Sequence, residues 1–153
     1  MPFHISVSSA AALVAFAVVS VLIGSALAGA GGWRALAVRY PAPSTPPADE
    51  ERYRFSSLRT AGGVIGMATY GSCVTVGVSE RGISLALWAP FRLFHPSLLV
   101  PWDAVAECRA LAVYGQRWTH VSVRDAGSVT VYGRAAEAIA RAAERRGIAV
   151  RPL

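Results

Sequence analysis

The chain contains no lysine, only two cysteines, and no charged side chain before Arg34. Without lysine, the glycine-rich segment GGVIG at 62–66 lacks the Lys-Ser or Lys-Thr pair that a P-loop needs. Cys73 and Cys108 form no CxxC pair and have no pair of histidines nearby, so the sequence indicates neither a zinc site nor a disulfide framework. All 15 basic residues are arginines, and the net charge of +6 belongs to residues 34–153.

The missing charge leaves an apolar run from Ile5 to Gly32. A bilayer core needs about 20 apolar residues at about 1.5 Å rise each, so this run is long enough for a membrane-spanning helix. A cleaved signal peptide is the alternative, with Leu13–Ile23 as its apolar region and Ala26–Ala28 as its cleavage site. The first residues, MPFHIS, lack the positive charge that a signal peptide needs. We therefore predict a single transmembrane helix that is retained.

The charges that flank the apolar run predict its orientation. Every arginine follows the run, whereas His4 is the one titratable side chain before it. Positive flanks stay on the cytoplasmic side, so we expect the amino terminus outside and residues 33–153 in the cytoplasm. Trp33 and Arg34 are expected to anchor the helix at the interface, with the indole at headgroup level and the guanidinium in water.

Small residues recur four apart towards the end of the apolar run. They are Gly24, Ser25, Ala28, Gly29 and Gly32. Such spacing lets two membrane helices approach closely. It marks a candidate contact with another integral membrane protein, and an ordinary helix rich in alanine and glycine is the alternative.

Composition divides the chain into three regions. Residues 1–40 hold the apolar helix and a juxtamembrane extension, WRALAVRY, whose helical spacing stops at Pro41. Residues 41–52 contain four prolines followed by acidic residues, which predicts an extended linker. Residues 53–153 are expected to form the folded domain.

Alternation of apolar and polar residues predicts a mainly β domain. The predicted hairpin arms are SCVTVGVS (72–79) with ISLALW (83–88), and THVSVRD (119–125) with SVTVYG (128–133). The segment 133–147 changes to helical spacing, with Gly147 as its stop. We expect a small α+β domain in which a sheet curls into a barrel or sandwich and a C-terminal helix closes one end.

Two neighbouring motifs resemble those of a known family. CVTVGVSERGISLAL is followed by HPSLLVPWDAV, and this pair is similar to the bacterial PH-like, or GRAM-like, domains. The most specific matching positions are His95, Pro96, Leu98, Val100, Pro101 and Trp102, whereas Ser97 stands where a second proline is common. The resemblance spans residues 60–147 and implies a seven-stranded, strongly bent antiparallel barrel capped by one C-terminal helix. Many relatives look like small membrane-anchored proteins with no assigned activity, so the resemblance implies a fold more than a function.

The second motif contains a predicted buried strand. Leu98, Val100 and Trp102 alternate and are expected to point into the core. Leu99 and Pro101 are then expected to point outward.

The residues just before that strand are a candidate contact surface. Pro90 and Pro96 bracket five residues, too few for a helix and poorly placed for a central strand. The candidate contact residues are Phe91, Arg92, Leu93 and Phe94. At least one of the three apolar side chains should be exposed, where it would contact lipid or a partner protein. A loop folded back on the barrel is the alternative.

No combination of residues points to an enzyme, a cofactor or a metal. His95 with Ser97 and Asp103 is the nearest set of a base, a hydroxyl and a carboxylate, and His95 before a proline is more simply a turn residue. Paired carboxylates and HExxH spacing do not occur. Arginines without a recognition helix or stacking aromatics do not indicate nucleic-acid binding, and no small-molecule substrate is evident.

The sequence therefore favours a non-enzymatic, single-pass membrane accessory or adaptor protein, whose PH-like domain docks on the cytoplasmic side of another membrane protein or complex. The first alternative is a tethered module that binds anionic membrane lipid through its arginines and the loop 91–94. The second alternative is an exported periplasmic domain with a cleaved signal peptide.

Overall fold

The computed structural model of the protein describes residues 7–63, 66–89 and 91–152. The chain begins with a long apolar helix and a short one, α1 (Val7–Ala30) and α2 (Trp33–Arg39). Helix α1 is long and apolar enough to cross a membrane, as the sequence predicted. His4 and Pro90, on which two of the expectations above depend, lie outside the described residues.

A curled sheet and a third helix make up the rest of the described chain. The elements in chain order are β1 (Glu51–Ala61), β2 (Met67–Val78), β3 (Gly82–Leu87), β4 (Leu98–Pro101), β5 (Val105–Val113), β6 (Gln116–Val123), β7 (Gly127–Tyr132), α3 (Arg134–Arg145) and β8 (Val150–Pro152). The eight strands of the described part have the order β4-β3-β2-β1-β7-β6-β5-β8. All pairs are antiparallel except β5 with β8. The mainly β, α+β class is confirmed, and β8 is additional to the seven strands that the resemblance implied.

Both predicted hairpins form because their alternation places one apolar face inward. In β2, Val74, Val76 and Val78 are buried, and they pair with the arm β3. Strand β6 pairs with β7 across the predicted turn. Helix α3 covers the sheet with a face made mainly of alanine, which lets it lie close: the Thr119 hydroxyl on β6 donates to the Ala136 carbonyl at 2.7 Å.

Register shifts between β1 and β2 explain why the sheet curls. Tyr53 pairs with Val76 and Ser56 with Val74, so β1 carries one extra residue at this point. Such a bulge bends a strand and increases its twist. Phe55, inside the bulge, has a φ of 56°, a value rare for an aromatic residue.

The proline-rich segment is packed onto the domain instead of forming a free linker. The Ala42 amide donates to the Ser97 carbonyl at 3.1 Å, and the Leu99 amide donates to the Tyr40 carbonyl at 3.0 Å. The Glu80 amide donates to an Asp49 carboxylate oxygen at 2.6 Å, which fixes the far end of the segment. Leu99 lies outside the core cluster that contains Leu98 and Val100, as the predicted alternation requires, and it is nevertheless buried.

Helix α2 also belongs to the domain. Its residues Trp33, Leu36 and Ala37 are part of the same buried cluster as the strands. The folded unit therefore begins at α2 and includes the segment 41–52, whereas the composition had predicted a start at residue 53.

Candidate functional site

The junction between α1 and α2 is built into the domain by a close backbone approach. The Thr60 hydroxyl, buried at the end of β1, donates to the Gly31 carbonyl at 2.7 Å. A Cβ atom on Gly63 would lie 1.9 Å from the Ala30 carbonyl oxygen, so only glycine fits there. Gly32, with a φ of 86°, turns the chain between the two helices. The end of α1 is thus fixed on the β1–β2 turn.

This packing changes the interpretation of the small residues. Ala28 is fully buried within the chain, and Gly32 lies beyond the end of α1. Gly29 is exposed, and a Cβ there would meet no atom within 4 Å. For Gly24 and Ser25 the structure describes the helical backbone only. A helix-packing face made of Gly24, Ala28 and Gly32 is therefore wrong, whereas in the alternative set of Ser25 and Gly29 the exposed Gly29 remains available for a neighbouring helix.

Trp33 lies inside the domain rather than at its surface. Its side chain is fully buried, and its indole Nε1 donates to the Pro96 carbonyl at 2.9 Å. Its ring centroid lies 5.2 Å from that of Tyr70 and 5.5 Å from that of His95. An indole held in this way cannot sit among lipid headgroups, so the predicted anchoring role of Trp33 is wrong. Arg34 is exposed, as its predicted role requires.

His95 links the junction to the candidate contact loop. Its ring is buried, with Nε2 3.2 Å from the Tyr70 hydroxyl and Nδ1 3.2 Å from the Phe91 carbonyl oxygen. Both contacts are satisfied when Nδ1–H donates to Phe91 and the Tyr70 hydroxyl donates to Nε2. Burial raises the pKa of Tyr70 to about 12, so the hydroxyl keeps its proton.

Stability is expected to fall in mild acid because of this histidine. Burial lowers the pKa of His95 below its ordinary value of 6.5; the Phe91 carbonyl opposes the shift and the charge of Arg34 adds to it. The neutral imidazole therefore stabilises the fold fully above the unfolded pKa, and this contribution is lost as pH falls through about 6.5 towards the folded value. The thermal midpoint should drop over that interval.

The control for the acid effect is the variant His95→Asn, measured over the same pH range. In this variant the thermal midpoint should depend less steeply on pH. Some dependence should remain, because burial also lowers the pKa of His120. An unchanged slope in His95→Asn would contradict the assignment to His95.

The loop before β4 exposes apolar side chains beside the junction. Trp88 is 64% exposed and Leu93 is 80% exposed; Phe91 and Arg92 are also exposed, and Phe94 is half-buried. The prediction that at least one apolar residue of this loop is exposed is confirmed. The Trp33–Pro96 hydrogen bond holds the loop next to the first turn after α1.

The remaining residues of the family-like motif pack within the domain or at its edge. Leu98, Val100 and Trp102 are in the core as predicted, and Pro101 is half-buried. The Trp102 indole donates to the Ser79 carbonyl at 2.9 Å, and the Arg146 guanidinium lies 4.8 Å from its ring centroid. These contacts join β4 to the end of α3.

Sequence reasoning missed two clefts. One, of about 540 Å³, lies between the proline-rich segment and the outer face of β2 and β3. The other, of about 870 Å³, lies where the first residues of β1 meet the tip of the β5–β6 hairpin and the start of α3. The alternating arginines and aromatics of RYRF (52–55) are a signal that would have drawn attention to the second cleft.

Neither cysteine is activated by its surroundings in this fold. Burial raises the pKa of Cys108 to about 11 and also raises the pKa of Cys73, so both thiols stay protonated at neutral pH. In the part of the chain that the structure describes, no three His, Cys, Asp or Glu side chains are grouped to hold a metal ion.

Compared with known protein families and with curated protein sequences, the chain gives no significant match.

Proposed function

We propose that the protein is a non-enzymatic membrane accessory protein, in which α1 anchors a PH-like domain that docks on a neighbouring membrane protein or complex. The length and composition of α1 support the anchor. The arginines after α1 support a domain on the cytoplasmic side of the membrane, and the resemblance of residues 60–147 to bacterial PH-like domains supports a bacterial inner membrane. The curled sheet closed by α3 supports the PH-like assignment.

The observation that carries this proposal is the buried junction. A domain that only needs to be tethered can follow its membrane helix on a flexible linker. Here the Thr60 hydroxyl donates a hydrogen bond to the Gly31 carbonyl, and Gly63 lies against Ala30 with no room for a side chain. The domain is therefore held at a fixed orientation to α1, which a partner needs when it contacts both parts.

Isolation of the full-length protein in mild detergent tests the proposal. We expect a stoichiometric membrane protein to accompany it. The variant Gly63→Ala, which disrupts the junction, should lower the amount of partner recovered. Gly71→Ala adds the same methyl group on β2, where no atom lies within 4 Å, and should leave that amount unchanged. Recovery of the unaltered protein as a lone monomer would overturn the accessory role.

A second candidate, contact with the lipid surface, is favoured by the loop that carries Trp88, Phe91 and Leu93. These exposed apolar residues flank Arg92, a combination suited to a membrane interface. Val38 and Met67 are also exposed, on elements that contact α1. Lipid contact would fix the domain on the membrane from which α1 emerges.

Fluorescence quenching by brominated lipid tests this contact in the full-length protein reconstituted in vesicles. We expect brominated lipid to quench part of the tryptophan emission, and Trp88→Phe to remove much of that quenched part. Trp118→Phe is the matched control, since Trp118 lies in the cleft at the start of β1. Equal quenching with and without Trp88 would rule out lipid contact by the loop.

A further inference from the structure

The larger cleft is strongly basic. Four arginines line it, Arg52, Arg54, Arg117 and Arg134, against a single lining carboxylate, that of Glu137. Glu137 is already shared between Arg117, at 2.6 Å, and Arg141, at 3.4 Å. In the described part of the chain Arg54 and Arg134 have no carboxylate within salt-bridge distance. The cleft therefore offers two arginines to an outside anion.

The backbone adds to this positive field. Helix α3 starts at the cleft, and its N-cap residue Gly133 provides no side-chain hydrogen bond to the first turn. The free N–H groups of a helix start carry partial positive charge and favour anions. Arg134 is the first residue of this turn, so side-chain and backbone charges coincide.

Aromatic side chains form the other part of the cleft wall. Trp118 and Tyr132 stack edge to face with centroids 5.5 Å apart. The indole Nε1 of Trp118 is buried and has no acceptor among the described residues, which is uncommon for a buried donor. Phe55 is 68% exposed because the β1 bulge turns it outward in a strained backbone conformation. Such strain tends to occur at functional positions.

The position of the cleft argues against the anchoring bilayer as the source of its anion. Arg54 and Thr60 lie on the same strand, and at about 3.3 Å per residue a fully extended strand would place them about 20 Å apart; the bulge shortens this separation. Thr60 contacts the end of α1, so Arg54 lies at the opposite end of β1. Electrostatic attraction is screened over about 8 Å at physiological salt. The cleft thus lies towards the end of β1 that is remote from the point where α1 joins the domain.

We propose that this cleft binds an acidic segment of the partner protein. Carboxylates of that segment form ion pairs with Arg54 and Arg134, and one of its apolar side chains packs against Phe55. The volume of about 870 Å³ is far larger than one anionic group needs and lies within the range of about 300–1,000 Å³ typical of ligand sites. A peptide that combines acidic and apolar side chains matches both parts of the wall. This assignment rests on the proposed docking function and names the surface and the chemistry that it uses.

Fluorescence anisotropy with the full-length protein in detergent tests the assignment. The probe is a short fluorescein-labelled peptide of alternating glutamate and leucine, compared with the same peptide carrying glutamine for glutamate. We expect the glutamate peptide to bind about tenfold more tightly, with binding weakened by added salt. The double variant Arg54→Glu/Arg134→Glu should lower that affinity by about tenfold or more.

Two controls keep the result specific. Arg81→Glu/Arg151→Glu makes the same change of charge at exposed positions outside the cleft, and it should leave the affinity nearly unchanged. Phe55→Ser should weaken binding of the glutamate peptide. It should not unfold the domain, because the Phe55 ring is mostly exposed. Equal loss in both charge variants, or tighter binding of an oligothymidylate than of the peptide, would overturn the assignment.

The outcomes separate this inference from the proposed function. If a membrane partner remains bound to Arg54→Glu/Arg134→Glu as tightly as to the unaltered protein, the partner docks elsewhere and the cleft assignment fails alone. If the peptide binds as expected and no membrane protein accompanies the isolated chain, the cleft still binds acidic peptides and the accessory role fails.

Discussion

Replacing Trp33 with alanine is expected to lower the free energy of unfolding by about 3–5 kcal/mol, the range found for large buried aromatic residues. The indole is fully buried and packs against Tyr70 and His95. The substitution leaves a cavity and also leaves the Pro96 carbonyl without its donor. Denaturation followed by circular dichroism in detergent would measure the change.

Two other variants separate the parts of this effect. Trp33→Phe keeps an aromatic ring but loses the hydrogen bond to the Pro96 carbonyl. We expect it to lower the free energy of unfolding by about 1–3 kcal/mol. Trp88→Ala removes an indole that is 64% exposed, and its effect should stay within about 0.5 kcal/mol. Similar effects of Trp33→Ala and Trp88→Ala would mean that Trp33 stands at the surface, as its position after the apolar run had indicated.

The sequence predicted the hairpins and α3 because their signals are local. In β2 every second residue from Val74 to Val78 is buried, and a single strand defines that pattern. In α3 the change of period and the stop at Gly147, whose φ is 72°, are likewise contained within the element. Local periodicity therefore predicted these elements, whereas β1 and β5 were not predicted.

The burial of Trp33 and Leu99 depends on partners distant in sequence. An aromatic residue after an apolar helix suits a lipid interface or a protein core, and here Tyr70 and His95 provide the core. Leu99 alternates as an outward residue would, but the chain around Tyr40 pairs with its strand and covers it. Periodicity predicts which residues share a face of a strand. It does not predict which other segments cover that face, because tertiary structure determines them.

The basic cleft was beyond sequence reasoning for a similar reason. Its arginines come from β1, β6 and the first turn of α3, and only strand pairing brings these segments together. The outward turn of Phe55 depends on a bulge set by the pairing of β1 with β2. In contrast, the exposed loop 91–93 was predictable, because two closely spaced prolines left its apolar residues no regular element in which to be buried.

Substituting Gly63 by alanine is expected to separate α1 from the domain. The added Cβ would lie 1.9 Å from the Ala30 carbonyl oxygen and 2.5 Å from the Gly32 amide nitrogen. Both are backbone atoms, which cannot rotate away as a flexible side chain can. Overpacking of this kind costs about 1–3 kcal/mol or more, and the least costly relief is to move the junction off the β1–β2 turn, which also stretches the hydrogen bond from Thr60 to Gly31.

Limited trypsin digestion of the full-length protein would detect that movement. Arg34 is the first arginine after α1 and lies in the first turn of α2, so it is protected while the junction is packed and should be cleaved faster in Gly63→Ala. Gly29→Ala and Gly71→Ala add the same methyl group where no atom lies within 4 Å, and they should be cleaved like the unaltered protein. If all three variants were cleaved at the same rate, the end of α1 would be free of the domain and the fixed orientation on which the accessory role depends would not exist.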